Sequence, residues 1–446
     1  DRIVYELGGD LWILNTQDGT NSRIPIDVRA DAPETRARIE NVKKFITGFD
    51  CSPSGARAAV VARGELFTVP KSDGPTRNLT NDSGARDMAA AWSPDGSGEY
   101  ETHLIEPDGK HKSVRLTKHT DGYRHTLRWS PDSKKIAFAD QTLRCYYLDV
   151  ASKKITEIDK ADYENVDVSL DAKPIRDFSW SPDSAYIAYS KMNENLVYNV
   201  YVYSVETGVS RSVSEGLFND FGPVFTPDGE HLLFVSNRRF SPTYCDFEWE
   251  MVYKKSSGIY ALTLRKDGDS ILPFKSDEET SDSGDSDDDD ADSDDDDDSS
   301  VSVTIDFEGL AGRVEALPLS PGNYRELSIN DSSVFYLNAD EGDFNRFEFR
   351  AKKPRTLYAF SFDDREERTV IEGLDGYRLS ADGSHVVYGK GESLGIIESS
   401  ATKADGGKLD LSGLKMRLDP AAEWKQIFDE VWRMERDFYY DPGMHG

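Results

Sequence analysis

The sequence predicts an all-β fold, a seven-bladed β-propeller followed by a short C-terminal α-helix, and three observations carry that prediction. A five-residue motif, aromatic-Ser-Pro-Asp-Gly/Ser, recurs along the chain. Its copies are spaced by about the length of a four-stranded blade, ~40–50 residues. Most copies are followed by short β-branched and aromatic runs bounded by turn residues, a strand signature.

The motif occurs seven times. Strict copies occupy residues 92–96, 129–133 and 180–184; looser ones start at Cys51, Phe225 and Leu379, and a degenerate one at Ser328. The starts step by 41, 37, 51, 45, 103 and 51 residues, and the long step contains an acidic run. The residue types suit a tight turn between two strands. Proline presets φ, the Asp side chain accepts from the following backbone amides, and Gly or Ser stands where a large side chain is costly. The aromatic residue that opens the motif, Trp92, Trp129 or Trp180, is expected to pack between neighbouring sheets.

A strand is expected after these turns, at 135–138, 186–189, 231–235, 334–337 and 385–388. A second alternating strand comes next in most units, as at 145–150 and 199–205, with a polar hairpin such as Val205-Glu206-Thr207-Gly208 after it. The second unit departs from this pattern. After Gly96 the chain goes straight to Ser97-Gly98-Glu99-Tyr100-Glu101 without an apolar strand, so a three-stranded or gapped blade is expected there.

Charge excludes some functions. Lys+Arg number 53 and Asp+Glu 83, a net charge of −30, but residues 277–298 alone hold 15 acidic residues and no basic one, leaving −15 on the rest. A surface of that sign repels phosphate backbones, so no nucleic-acid partner is expected. The Asp/Ser run has little to bury, and residues 277–300 are expected to be a disordered acidic surface insertion; the functional alternative is a docking tail for a basic partner. Cys51, Cys145 and Cys245 have neither disulfide-framework nor metal-ligand spacing. No apolar run approaches a membrane span, and the N-terminus has no signal-peptide pattern. The chain does not start with Met, so it is expected to be processed or cut from something longer.

The period changes at the C-terminus. Asp419-Pro420 offers an N-cap acceptor and a Pro at the first helical position, and Trp424, Ile427, Phe428, Val431, Met434 and Phe438 fall at helical spacing before Asp441-Pro442-Gly443 ends the run. An aromatic-rich helical face of this kind needs a covering partner. The patterns themselves place the seven-bladed propeller at 40–418 and a helix that needs a further domain within 419–446.

Candidate chemistry is sparse. Gly391-Glu392-Ser393-Leu394-Gly395 fits the G-x-S-x-G nucleophile elbow, which requires a strand before it and a helix after it; here a second strand follows, so a hairpin is expected instead. His103, His111, His119, His125, His231, His385 and His445 lack zinc-site spacing and read as surface residues. Ser384 and His385 are adjacent, and strand alternation predicts that they point to opposite faces. No phosphate loop, dinucleotide fingerprint or calcium loop is present, so the sequence assigns no catalytic, cofactor-binding or metal-binding residue and no cofactor.

A further set of residues carries a resemblance. It comprises Asp1-Arg2-Ile3-Val4-Tyr5-Glu6 with Gly8-Gly9-Asp10, Arg63-Gly64-Glu65-Leu66-Phe67-Thr68-Val69-Pro70 with Arg77-Asn78-Leu79-Thr80, and Ser97-Gly98-Glu99-Tyr100-Glu101. It also includes Glu423-Trp424-Lys425-Gln426-Ile427-Phe428, Glu435-Arg436-Asp437-Phe438-Tyr439-Tyr440-Asp441-Pro442 and Met444-His445-Gly446. Together with the repeats, these residues resemble the tricorn protease family over essentially the whole chain. The resemblance implies a large cytoplasmic serine peptidase acting on oligopeptides, built from a six-bladed and a seven-bladed propeller, a helical domain, a PDZ-like domain and a catalytic domain, and assembled as a hexamer. It also implies that residues 1–27 are the end of a preceding propeller domain, that 419–446 are the first helix of a truncated helical domain, that the catalytic Ser, His and Glu lie beyond Gly446, and that the seven-bladed propeller channels or filters peptide substrates. The short second unit and the long Asp run depart from the family pattern. Two alternatives are a TolB-like protein-binding propeller and the propeller of a prolyl-oligopeptidase-like enzyme.

Overall fold

The computed structural model describes residues 1–26, 32–88, 98–99, 102–108, 113–117, 124–162, 175–239, 242–244, 251–253, 255–275, 301–339, 355–439, 441, 443 and 445. The expectations for Trp92 and its turn, His111, His119, Cys245 and the acidic run 277–300 lie outside them.

Seven antiparallel blade sheets follow one another between Ile46 and Glu398, and a two-stranded hairpin, Pro242–Tyr244 with Met251–Tyr253, is inserted in the fifth. From the innermost strand outward, blade 1 is Ile46–Cys51, Arg57–Ala62, Glu65–Pro70 and Arg77–Asn78. Blades 3, 4, 5 and 6 are four-stranded and open with Arg124–Trp129, Ile175–Trp180, Asp220–Phe225 and Tyr324–Ile329. Blade 7 has Gly376–Leu379, His385–Lys390 and Ser393–Glu398, and a bridge from Gly395 to Lys408 supplies the outer edge. Blade 2 is three-stranded among the described residues: Gly98–Glu99, His103–Ile105 and Val114–Arg115. Its Gly98–Glu99 strand follows the position of the motif, where the sibling blades carry six or seven residues.

The apolar interior is divided among the gaps between sheets. Leu232 and Phe234 of blade 5 face Val200 and Val202 of blade 4, while Leu233 and Val235 face Val334 and Tyr336 of blade 6. Alternation thus feeds two cores from one strand, which is why 232–235 reads as a continuous apolar run and the strand is buried throughout. Each remaining gap has its own cluster, and the last joins Val387 and Ile396 of blade 7 to Val60 and Phe67 of blade 1. The ring therefore closes.

The motif turns fasten this ring. In blade 4 the Ser181 hydroxyl donates to Asp183 Oδ1 at 2.5 Å and accepts from the Tyr186 amide at 2.8 Å, and Asp183 Oδ1 also accepts from the Ala185 amide at 3.0 Å. The fifth motif position is left-handed, with φ of 69° at Gly55, 60° at Ser184 and 68° at Gly383, which favours Gly there. Turns of neighbouring blades also touch: Asp132 N donates to Ser184 Oγ at 3.1 Å, and Asp382 N to Pro53 O at 3.1 Å across the closure. Trp180 is buried between sheets as expected, its indole N–H donating to Arg128 O at 3.1 Å. The degenerate motif aligns one residue later than its sequence suggests. Ile329 ends the inner strand, and Asn330 Oδ1 accepts from the Ser333 amide at 2.9 Å in the turn.

Outside the blades, Arg2–Leu7, Asp10–Asn15 and Asn21–Arg23 form a separate three-stranded sheet. Arg38–Asn41 pairs with Lys415–Leu418, joining the chain entering the ring to the chain leaving it. The helix Pro420–Phe438 follows directly, with the Asp419 side chain capping the Ala421 and Ala422 amides. An ion pair between Arg63 and Glu423, 2.6 Å long, holds the helix to blade 1.

Candidate functional site

The inner strands of blades 3 to 6 share an irregularity. Each has a β-bulge four to one residues before its closing residue, and the residue three before the last is left-handed: Thr126 (62°), Asp177 (61°), Gly222 (65°) and Glu326 (53°). Left-handed backbone costs a non-glycine residue about 1–2 kcal/mol. A bulge bends its strand and re-aims the side chains around it. In blades 3, 4 and 6 these stretches carry Arg128, Arg176, Asp177, Arg325 and Glu326, whose charges come within electrostatic reach of one another across the ring.

Arg128 of blade 3 shows the convergence. It lies within electrostatic reach of Asp50 in blade 1, Asp177 in blade 4, Glu326 in blade 6 and Arg378 in blade 7. Burial, followed by the like charge of Arg378, lowers its pKa from the guanidinium range. Arg325 behaves alike: burial comes first, then Arg176 and Arg355. Both side chains are nonetheless exposed, so protein surrounds them while solvent still reaches them. That combination describes a channel wall. Ion pairs organise the rest: Arg355 binds Glu326 at 2.9 Å, Arg378 approaches the same carboxylate at 3.6 Å, and Arg176 meets Asp177 at 3.2 Å while stacking over Tyr198 at 4.3 Å. The Tyr377 hydroxyl ties blade 7 to the Glu326 carbonyl at 2.6 Å.

None of these channel residues was singled out from the sequence. The available signal was their offset: Asp50, Arg128 and Arg378 each stand one residue before the motif's opening residue, and Asp177 and Glu326 three before it. Reading it required knowing that the strand ahead of the turn is innermost.

The residues weighed from sequence fall elsewhere. Ser393 pairs with Lys390 across a two-residue turn and begins a strand, as the hairpin expectation held. Ser384 and His385 do not point apart, which corrects the alternation argument. Ser384 is still in the turn, and its Oγ lies 2.7 Å from His385 Nδ1 and 2.7 Å from Asp382 Oδ1. A serine between carboxylate and imidazole donates its proton to the carboxylate, so the ring nitrogen is left to donate rather than act as base. The Cys51 and Cys145 thiols are buried; burial raises the first to about 12 and the second well above its ordinary value. Among the described residues no group of three or more His, Cys, Asp or Glu is placed to hold a metal ion. A second concavity of about 620 Å³ lies between the turns of blades 5 and 6; His231, expected at the surface, is buried beside it because it begins the second strand of blade 5, and its Nε2 lies 2.9 Å from Asp269 O.

Known proteins share this fold. The family profile described as "Tricorn protease second beta propeller domain" matches residues 46–400, and "Tricorn protease C1 domain" matches residues 420–446. The "Tricorn protease homolog 1" of Streptomyces coelicolor is 27% identical over 482 residues, covering 100% of this chain and 43% of that protein. The "Tricorn protease homolog" of Saccharolobus solfataricus is 21% identical over 457 residues, covering 99% of this chain and 39% of that protein. The chain thus spans about two fifths of the length of these relatives. The solved "Crystal structure of the tricorn protease" superposes with a TM-score of 0.77 at 19% identity, covering 99% of this chain and 41% of that one. No helix among the described residues is long and apolar enough to cross a membrane.

Proposed function

The chain belongs to the tricorn protease family, and on that premise we propose that its propeller is the passage through which oligopeptides reach a serine-peptidase centre carried elsewhere in the whole protein. The observation that supports this reading is the axial wall: Arg128 is solvent-accessible, protein-enclosed and faced by charges from four other blades. A passage of charged and peptide-compatible groups suits an extended chain, whose backbone needs polar partners along its length. The whole protein is then a cytoplasmic peptidase, assembled as a hexamer, with peptide substrates as its partners and no nucleic acid or membrane among them. Residues 1–27 belong to a preceding propeller and 419–446 open a helical domain.

The test places cysteines at Arg128 and Arg378, on facing blades, in the full-length protein and links them with a bis-maleimide. Turnover of long peptides is expected to fall several-fold more than turnover of a dipeptide reporter. Equal slowing of both substrates means that peptides enter by another route.

A further inference from the structure

The described part of the channel carries more positive than negative charge, in a chain whose net charge is −30. Its ion pairs do not use every arginine. Glu326 is held by Arg355 and Asp177 by Arg176, leaving Arg128 and Arg325. Among the described residues neither makes an ion pair. Arg325 makes no side-chain hydrogen bond there, and Arg128 donates only to the carbonyl of Leu127 at 3.0 Å. A guanidinium presents five N–H donors in a fixed fork that matches a carboxylate bidentately. Among the described residues two such forks therefore stand open in an enclosed passage: Arg378 repels Arg128, and Arg176 and Arg355 repel Arg325, while Asp177 and Glu326 attract both from beyond ion-pair distance and Asp50 attracts Arg128. An anion there fills the donors and offsets the repulsion among the arginines. Low-dielectric walls focus the field on it.

We propose that Arg128 and Arg325 form a carboxylate-binding collar in the axial channel, which takes peptides by a free carboxylate at the C-terminus or on an Asp or Glu side chain. The proposal rests on the reading of the channel as the peptide route. The strongly acidic chain as a whole repels long polyanions, so the collar selects isolated carboxylates rather than nucleic acid.

The test is calorimetric binding to the full chain at low salt. Three N-acetylated pentapeptides are compared: Ala-Gln-Ala-Gln-Ala as the amide, the same peptide as the free acid, and Ala-Glu-Ala-Glu-Ala as the amide. At least one carboxylate-bearing peptide is expected to bind tenfold or more tighter than the neutral amide, with the preference weakening as salt rises. Which of the two binds assigns the source of the carboxylate. The double variant Arg128→Gln/Arg325→Gln is expected to lose the preference, while Arg265→Gln, which removes an exposed arginine from an outer turn, keeps it. Equal binding of all three peptides by the unaltered chain overturns the collar without reference to any variant, as does a preference that survives the double substitution. Loss of the collar with the cross-link effect intact removes only this proposal. A cross-link without effect removes the route and leaves the binding result standing.

Discussion

Single residues carry most of what the sequence made legible. The turn residues of each motif lie within five positions of one another, so their turn chemistry is local and readable without the fold. Asp382 shows this: its pKa is lowered by bonds from Ser380 and Ser384 against the opposing effect of burial. Asp87 shows the opposite. Nothing near it in sequence marks it, yet burial raises its pKa from the ordinary 3.8 to about 6, and the neighbouring Glu65 and Asp82 add to the rise. Because the folded state holds this proton more tightly than the unfolded chain, stability increases as pH falls through about 6 and levels off below about 4. Each tenfold in proton affinity is worth about 1.4 kcal/mol, so ionised Asp87 costs the fold about 2–3 kcal/mol above that window. Asp87→Asn is expected to raise the melting temperature at pH 7.5 and to have no effect near pH 4. A gain that persists unchanged at pH 4 means that the carboxylate's charge is not the cause.

At the scale of elements, periodicity located the blades and the helix but gave no account of how the helix is held. The Asp419-Pro420 start was legible because capping is a matter of adjacent residues. The bond to the ring was not, since Arg63 and Glu423 are 360 residues apart. Their side chains are 27% and 14% exposed, so removing one partner leaves the other largely desolvated. Glu423→Ala is expected to speed amide hydrogen exchange across Pro420–Phe438 by about tenfold while exchange in Arg57–Ala62 stays unchanged. If both elements accelerate together, the helix is not a separate cooperative unit. The expected aromatic face is present, with Phe428 74% and Trp432 56% exposed in this chain. The channel wall went unread for a different reason: bulges reorient Arg325 and Glu326 away from the simple alternation that a strand pattern assumes.

The whole molecule is a closed ring, and closure is the property that no local pattern shows, because blade 7 meets blade 1 across more than three hundred residues of chain. At that junction an added Cβ on Gly55 would stand 2.3 Å from the His385 ring, and φ there is +69°. Gly391, on the rim of blade 7, has φ of +58° and open space around it. Gly391→Ala is expected to cost about 1 kcal/mol from backbone conformation alone, and Gly55→Ala about 2–4 kcal/mol because the junction must also move. Equal shifts in melting temperature would mean that the ring does not depend on this contact. Beyond the junction, Arg38–Asn41 and Lys415–Leu418 run antiparallel, with the Arg38–Leu418 pair at the open end where both flanks of the chain depart. Once the Arg63–Glu423 pair yields, tension between those flanks loads the ladder from that end, so it opens as a zipper, rung after rung, rather than resisting in shear with every rung at once. The four-pair ladder is thus the mechanically soft line along which such tension reaches the ring.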